Sequence, residues 1–297
     1  MAIETSYSKL LSFSKINLVL SVGAKRSDGF HHIESLMAKL RWGDEIQLKL
    51  RQSSETKIKI QCRELRLPLK KNLMYQAAHL FSERLPVFFD MDVILKKNIP
   101  TEAGLAGGSS NAATVLSVLR KWYLSKIGKY HRLDSVVFKI AADLGSDVPF
   151  FLKEEKSCWC SGRGEKCEAV SLPKMPVVLV FPKTKISTAW AYQELDKLRK
   201  SKTKARPHLI KKPEYLKRRD YQIPIFQNDF EELALRRYRE LRQLKRDLAE
   251  SGAATGGMTG SGSCFYGIYQ SPQLADKGKI FLKSRSWKTA QSFVGEL

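Results

Sequence analysis

The sequence is poor in three things. It has no apolar run near the roughly 20 residues that a membrane-crossing helix needs. Its first six residues, Met1-Ala2-Ile3-Glu4-Thr5-Ser6, lack the basic start and long apolar stretch of a secretion signal. The expectation is therefore a cytoplasmic protein with no membrane partner. Cysteine is scarce: the five residues Cys62, Cys158, Cys160, Cys167 and Cys264 are odd in number and scattered, which argues against a disulfide framework. Cys158, Cys160 and Cys167 fit no usual zinc spacing and have no obvious fourth ligand, so they read as reduced thiols on or beside a strand, not as a metal site. Acidic residues are the third shortage, with 30 Asp and Glu against 52 Lys and Arg, a formal net charge of +22. That balance suits a polyanionic partner: nucleic acid, a membrane surface or an anionic small molecule.

The basic excess is concentrated. Residues 196–220 carry eleven Lys/Arg and three acids, Asp196, Glu214 and Asp220, with Pro207 and Pro213 breaking any helix. Tyr215 is the one aromatic there and no nucleic-acid motif accompanies it, so the run reads as a solvated linker, and nucleic acid as a disfavoured partner.

What is present is a globular composition. With 297 residues, 43% of them hydrophobic, the chain can bury a sizeable core in two lobes. Strands are expected at 15–22, 45–50, 57–62, 88–95, 148–152, 175–181 and 264–269. Helices are expected from Asn72 through Leu80, from Ser110 to Tyr123, and over 134–143, 188–200 and 230–251, the last ending at Gly252. The interspersed pattern predicts an α+β protein of two lobes with a cleft between them and no internal repeat.

The chemistry concentrates in Pro100-Thr101-Glu102-Ala103-Gly104-Leu105-Ala106-Gly107-Gly108-Ser109-Ser110-Asn111-Ala112-Ala113. Small residues let backbone approach an anion, and the helix that follows aims its unpaired N–H groups at the loop. Ser109 and Ser110 can cap that helix and donate to phosphate oxygens. The Gly-Lys-Ser/Thr ending of a P-loop is missing. By itself a glycine loop is equally a turn before a helix.

The string resembles the phosphate-binding loop of the GHMP kinases, and four further segments agree in order and rough spacing. Lys15-Ile16-Asn17 resembles the family's Lys-x-Asn, and Asp28-Gly29-Phe30-His31 its Asp-Gly-Tyr-His. Gly145-Ser146-Asp147-Val148-Pro149 resembles its Gly-Ala-Asp-Val-Pro, and Thr259-Gly260-Ser261-Gly262-Ser263-Cys264 its C-terminal glycine loop. Asn228-Asp229-Phe230-Glu231 is a weaker sixth match. The resemblance covers nearly the whole chain. Phe13-Ser14 stands where the family has Pro-Ala, Ala103 and Ala106 replace loop glycines, and Phe30 replaces a tyrosine.

The resemblance implies the two-lobed GHMP kinase fold: 1–162 as an N-terminal domain of a kind also found in ribosomal proteins, holding the ATP loop, and 163–297 as an α/β C-terminal domain. It implies phosphorylation of a metabolite hydroxyl by ATP with Mg²⁺, by a monomer or homodimer. Asp147, on a loop between a predicted helix and strand, is the expected base, and Lys15 the expected cation beside the attacked hydroxyl. Asp143, one turn earlier, reads as helix surface. Residues 100–110 are expected on the ATP phosphates, with Lys97 and Asn72 as further nucleotide contacts. The closest segments point to the branch whose substrate carries a cytidine diphosphate group and serves isoprenoid synthesis. There Phe30 and Tyr192 would sandwich the cytosine, and Asn17, His31 and Thr188 would add polar contacts. Two other readings stay open: a homoserine- or mevalonate-type kinase, and a basic nucleic-acid-binding protein on the same fold.

Overall fold

The computed structural model describes residues 7–64, 67–201 and 226–295. From 202 onward the basic run 196–220 lies outside the described residues. Two compact units emerge, each discontinuous in sequence. One comprises the chain up to Ser14, 42–100 and 106–154; the other comprises 15–41, 101–105 and 155–297. These divisions differ from a single boundary at 162/163 because β1 (Ser8–Lys25) and β2 (His31–Gln52) each run through both units.

In the first unit, 45–52 of β2 pair antiparallel with β4 (Phe89–Lys96), and β3 (Lys57–Gln61) lies parallel on the far side of β4. Ile46, Leu48 and Leu50 alternate along β2, and Phe89, Met91, Val93 and Leu95 along β4, so one face of the sheet is apolar. Helices cover that face: α1 (Leu73–Arg84), α2 (Gly107–Lys126) and α3 (Leu133–Leu144). Met74, Ala77, Ala78 and Phe81 form the buried stripe of α1 at helical spacing. α2 contributes Ala112, Ala113, Val115, Leu116 and Leu119. The alanine pairs let α1 and α2 approach closely, and an added Cβ on Gly108 would lie 3.5 Å from Leu73. Asn72 caps α1, its side chain accepting from the Met74 amide at 2.9 Å.

In the second unit, β5 (Ser157–Ser161) pairs with 35–38 of β2 and with β6 (Lys166–Ala169), while Val19 and Leu20 of β1 pair with the short parallel β8 (Gln227–Asn228). A separate sheet has the order β11-β7-β10-β9, from β7 (Met175–Phe181), β9 (Thr255–Met258), β10 (Phe265–Ile268) and β11 (Lys288–Val294). Every residue of β7 is buried, as a central strand requires. Helices α5 (Thr188–Ser201), α6 (Glu231–Arg237), α7 (Arg239–Glu250) and α8 (Pro272–Ser284) complete this unit.

Two expectations are corrected. Residues 148–152 form a short helix, α4 (Val148–Leu152), not a strand. Pro149 sits in its first turn, where the fixed φ suits a helix and the missing N–H costs nothing. The single helix expected over 230–251 is two, α6 and α7, broken at Tyr238, whose φ of −116° and ψ of 115° are extended. The Tyr238 ring packs edge-on against Trp190 with centroids 5.7 Å apart. Arg242 donates to the Leu235 and Arg236 carbonyls that the break exposes.

Candidate active site

The glycine-rich segment divides between the units. Its second half opens α2, which begins at Gly107, three residues before the expected start. Gly107, Gly108 and Ser109 are thus the first turn itself, with amides unpaired within the helix. Ala106 precedes them in the left-handed region, φ 55° and ψ 34°, where an L side chain is strained. Ser110 is buried, its hydroxyl 2.7 Å from that of Ser12. The half-buried Ser109 is the hydroxyl left at the helix mouth, and its Oγ would lie 4.0 Å from a Cβ added at Gly145. That contact brings Ser109 beside the loop carrying Asp147, a half-buried residue that starts α4. Asp143 is paired with Arg84 at 2.7 Å on the surface, as expected.

Lys97 stands behind this turn. A Cβ on Gly107 would lie 3.1 Å from its Nζ. The ammonium is paired with Asp44, which is fully buried. Asp44 also accepts from the Asn98 and Ile99 amides at 2.8 Å and from the Asn111 side chain at 2.9 Å. Asp44 was not legible as a site residue: in sequence it is one carboxylate between a glycine and a strand. Asn72 serves as the α1 cap already described, and Pro100 is half-buried.

The first half of the segment, 101–105, builds the second unit. Thr101 and Glu102 are exposed, and the carbonyls of Glu102 and Ala103 accept from the Ser263 and Cys264 amides at 3.3 Å. Gly104 has φ +72°, and a Cβ there would fall 2.1 Å from the Thr259 carbonyl oxygen, so nothing larger fits. The Leu105 carbonyl accepts from the Lys15 amide at 3.2 Å.

This packing fixes Lys15. Its side chain is 3% exposed, and Nζ donates to Asn17 Oδ1 at 2.6 Å and to the Gly104 carbonyl at 3.0 Å. Asn17 is held in turn: its Nδ2 donates to Ser35 Oγ at 2.8 Å, and its amide donates to Thr259 Oγ1 at 2.9 Å. Asn228 Nδ2 donates to the carbonyls of Met258 and Gly260, bracing the turn that carries Thr259. Ser35, Thr259 and Asn228 are positioning residues that the sequence reading did not single out, although two lie in matched motifs. The result is a buried, oriented ammonium.

Farther along this unit, His31 is buried, with Nε2 2.9 Å from Asp196 and its ring stacked on Tyr192 at 4.9 Å. Tyr192 also meets Phe230 edge-on at 4.8 Å. Phe30 is 50% exposed, and its ring lies under the Arg163 guanidinium, 4.8 Å from the centroid. Thr188 Oγ1 is 2.8 Å from Ser261 Oγ in the C-terminal glycine turn. The structure thus brings Tyr192 to His31, and Arg163 to Phe30. Asp28 bonds the Phe30 amide at 3.1 Å and Arg26. Desolvation pushes the Asp28 carboxyl up, but those bonds and the charges of Arg26 and Arg163 outweigh it and hold the group below its ordinary range.

Among the described residues no group of three or more His, Cys, Asp or Glu converges in a way that could hold a metal ion, and no helix is long and apolar enough to cross a membrane.

Comparison with known proteins shows the family. Residues 72–155 match the model of the GHMP kinases N terminal domain, and 214–285 that of the GHMP kinases C terminal domain. The chain is 34% identical to a 4-diphosphocytidyl-2-C-methyl-D-erythritol kinase of Syntrophotalea carbinolica, covering 94% of this chain and 95% of that one. An enzyme of the same name from Thermodesulfovibrio yellowstonii is 34% identical, with 96% and 98% covered. A crystal structure of a 4-(cytidine 5'-diphospho)-2C-methyl-D-erythritol kinase superposes with a TM-score of 0.76 at 28% identity, covering 98% of this chain and all of the other. A homoserine kinase from Cytophaga hutchinsonii superposes with a TM-score of 0.65 at 16% identity, with 99% and 96% covered, a likeness of fold alone.

Proposed function

The chain belongs to the GHMP kinases, in the 4-diphosphocytidyl-2-C-methyl-D-erythritol kinase family, and from that premise we propose that it moves the γ-phosphoryl group of Mg²⁺-ATP to the 2-hydroxyl of that cytidine-bearing alcohol. It is a small-molecule kinase of the non-mevalonate route to isoprenoids. The observation that carries the assignment of roles is the buried Lys15 ammonium, oriented by Asn17 and Gly104. Asp147 takes the proton of the attacking hydroxyl, and Lys15 stabilises the charge that develops as the P–O bond forms. The substrate hydroxyl becomes a phosphoester and ADP leaves.

The unpaired first-turn amides of α2, the Ser109 hydroxyl and the nearby Lys97 suit the polyphosphate. A Cβ at Gly107 would lie 3.0 Å from Ile99 and 3.1 Å from Lys97 Nζ, so packing behind the turn favours glycine there. Mg²⁺ would be held by the phosphates together with one or two oxygen ligands of the chain, its usual mode in kinases. It would supply charge neutralisation there.

The test is a coupled assay with ATP and Mg²⁺ across three alcohols: the diphosphocytidyl methylerythritol, homoserine and mevalonate. Turnover of the first is expected. Turnover of one of the others in its place, or salt-sensitive RNA binding without ATP turnover, would overturn the assignment.

A further inference from the structure

Cys158, Cys160 and Cys167 lie in the small hairpin of β5 and β6, and the strand register sets two of them face to face. Cys160 of β5 stands opposite Cys167 of β6, and their Sγ atoms are 3.1 Å apart. The Val170 amide donates to the Ser157 carbonyl, which marks 157 and 170 as a hydrogen-bonded pair. Bonded and non-bonded pairs alternate along an antiparallel ladder, so Cys160 and Cys167 are a non-bonded pair. Such pairs bring Cα atoms to about 4.5 Å, within the roughly 4.4–6.8 Å that a disulfide spans. The turn keeps this register: Gly162 and Gly164 take φ of +75° and +117°, and the Arg163 amide donates to the Glu165 carboxylate at 2.7 Å. The two thiols differ in access. Cys160 is fully buried, whereas Cys167 is half-buried on β6, an edge strand among the described residues.

A reachable thiol beside a buried one is the arrangement of an attacking and a resolving cysteine. We propose that Cys160 and Cys167 form a thiol–disulfide exchange site whose reactant is a small-molecule disulfide such as oxidised glutathione. The Cys167 thiolate attacks one sulfur of that disulfide and breaks its S–S bond. The first small thiol leaves with the proton that Cys167 gave up. Cys160 then loses its proton and displaces the second small thiol from Cys167, and that thiol carries the proton away. One S–S bond is broken and one is formed; the protein is oxidised by two electrons and the small disulfide is reduced to two thiols. Closure brings the sulfurs from 3.1 Å to about 2.0 Å. The edge strand β6 yields to this more readily than β5, which is also paired with β2 and sets Cys160 opposite Ser35. Ser35 holds the Asn17 side chain that orients Lys15, so the bridge staples β6 onto the sheet without displacing those contacts. Cys264 takes no part: it is fully buried, and burial pushes its thiol up, so it stays protonated.

The test uses the full-length protein, incubated with oxidised glutathione at mildly alkaline pH, where thiolate is populated. Peptide mass mapping and melting temperature are the readouts. Wild type is expected to lose two hydrogens in a peptide pair linked through Cys160 and Cys167, and to melt about 2–6 °C higher. Dithiothreitol should restore both the mass and the original melting temperature. Cys160→Ala removes the resolving thiol, so Cys167 should instead retain one glutathione. Cys167→Ser, a change at a half-buried edge position, should leave Cys160 as an unmodified thiol. That second variant carries the test if the buried substitution does not fold. A wild type that forms no link between Cys160 and Cys167, or links either of them to another cysteine, would overturn the proposal. So would glutathione on Cys160 in the Cys167→Ser protein, or a folded Cys160→Ala protein that gains none at Cys167. An oxidised wild type that melts no higher than the reduced one would also overturn it, since such a bridge does not staple the hairpin.

Discussion

Lys15 and Asp147, the proposed cation and base, are the residues whose replacement is most informative. Lys15 donates to an amide oxygen and a carbonyl oxygen, so its ammonium is oriented. Asp147→Asn keeps the shape of the proposed base and removes its proton affinity. It should lower kcat by about two to four orders of magnitude with ATP affinity nearly unchanged, read by single-turnover kinetics and nucleotide titration. Near wild-type turnover would end the role given to Asp147. Glu34 tests a different effect. Burial pushes its carboxyl up, and the hydrogen bond from Trp159 Nε1 and the charge of His32 only partly oppose this. A carboxyl raised in the folded state contributes stability below its unfolded pKa, and that contribution is lost as pH rises through the folded value. Wild type has therefore lost it at pH 7, whereas Glu34→Gln stays neutral and keeps the acceptor for Trp159. The variant should melt about 1–2 °C higher at pH 7, a gain kept small by solvent screening, and the difference should close towards pH 4. Scanning calorimetry at the two pH values checks the sign.

Elements, unlike single residues, were legible to the extent that their signal was local. β7 reads directly from Met175-Pro176-Val177-Val178-Leu179-Val180-Phe181, because a central strand is apolar on both faces. α1 reads from Asn72 and the spacing of its buried residues. The start of α2 did not, since glycines give no helical signal and the turn at Ala106 is a backbone state that packing imposes. Nor did the break at Tyr238, where the ring packs on Trp190, distant in sequence. The candidate site divides the same way. Lys15, Asn17, Asp147 and the glycine loop were found from ordered short motifs. Asp44 and Ser35 act through tertiary contacts that no local pattern announces. Asp44 is the element-scale test, because it ties β2 to the Lys97-Asn98-Ile99 segment and to α2 at once. Asp44→Ala strips a buried cation of its partner and leaves amides unsatisfied, so unfolding in urea should show a loss of about 3–5 kcal/mol. A loss below about 1 kcal/mol would mean that Lys97 swings to solvent and that the pair is dispensable.

Taken whole, the molecule carries 52 Lys and Arg against 30 Asp and Glu. Several of the acids are already committed to cationic partners: Asp134 to Arg120, Asp90 to Arg51, Glu45 to Lys96. The chain therefore carries a large positive excess, and it acts on two properties in opposite directions. It repels itself, which destabilises the compact state, and it attracts ATP and a diphosphate-bearing alcohol, which speeds encounter. Salt screens both effects, with a Debye length of about 10 Å at 0.1 M. Raising NaCl from 20 to 200 mM at pH 7 should accordingly raise the melting temperature by a few degrees while lowering kcat/KM for both substrates by about threefold or more. The kcat at saturation should hold, because Lys15 is buried and hydrogen-bonded at distances far shorter than the screening length. The pattern discriminates among origins of the charge effect. If the basic excess served only solubility, stability would respond and kcat/KM would not. If kcat itself fell steeply with salt, the Lys15 ammonium would be reached by bulk ions, which is incompatible with its enclosure by Asn17, Gly104 and the strand that carries it.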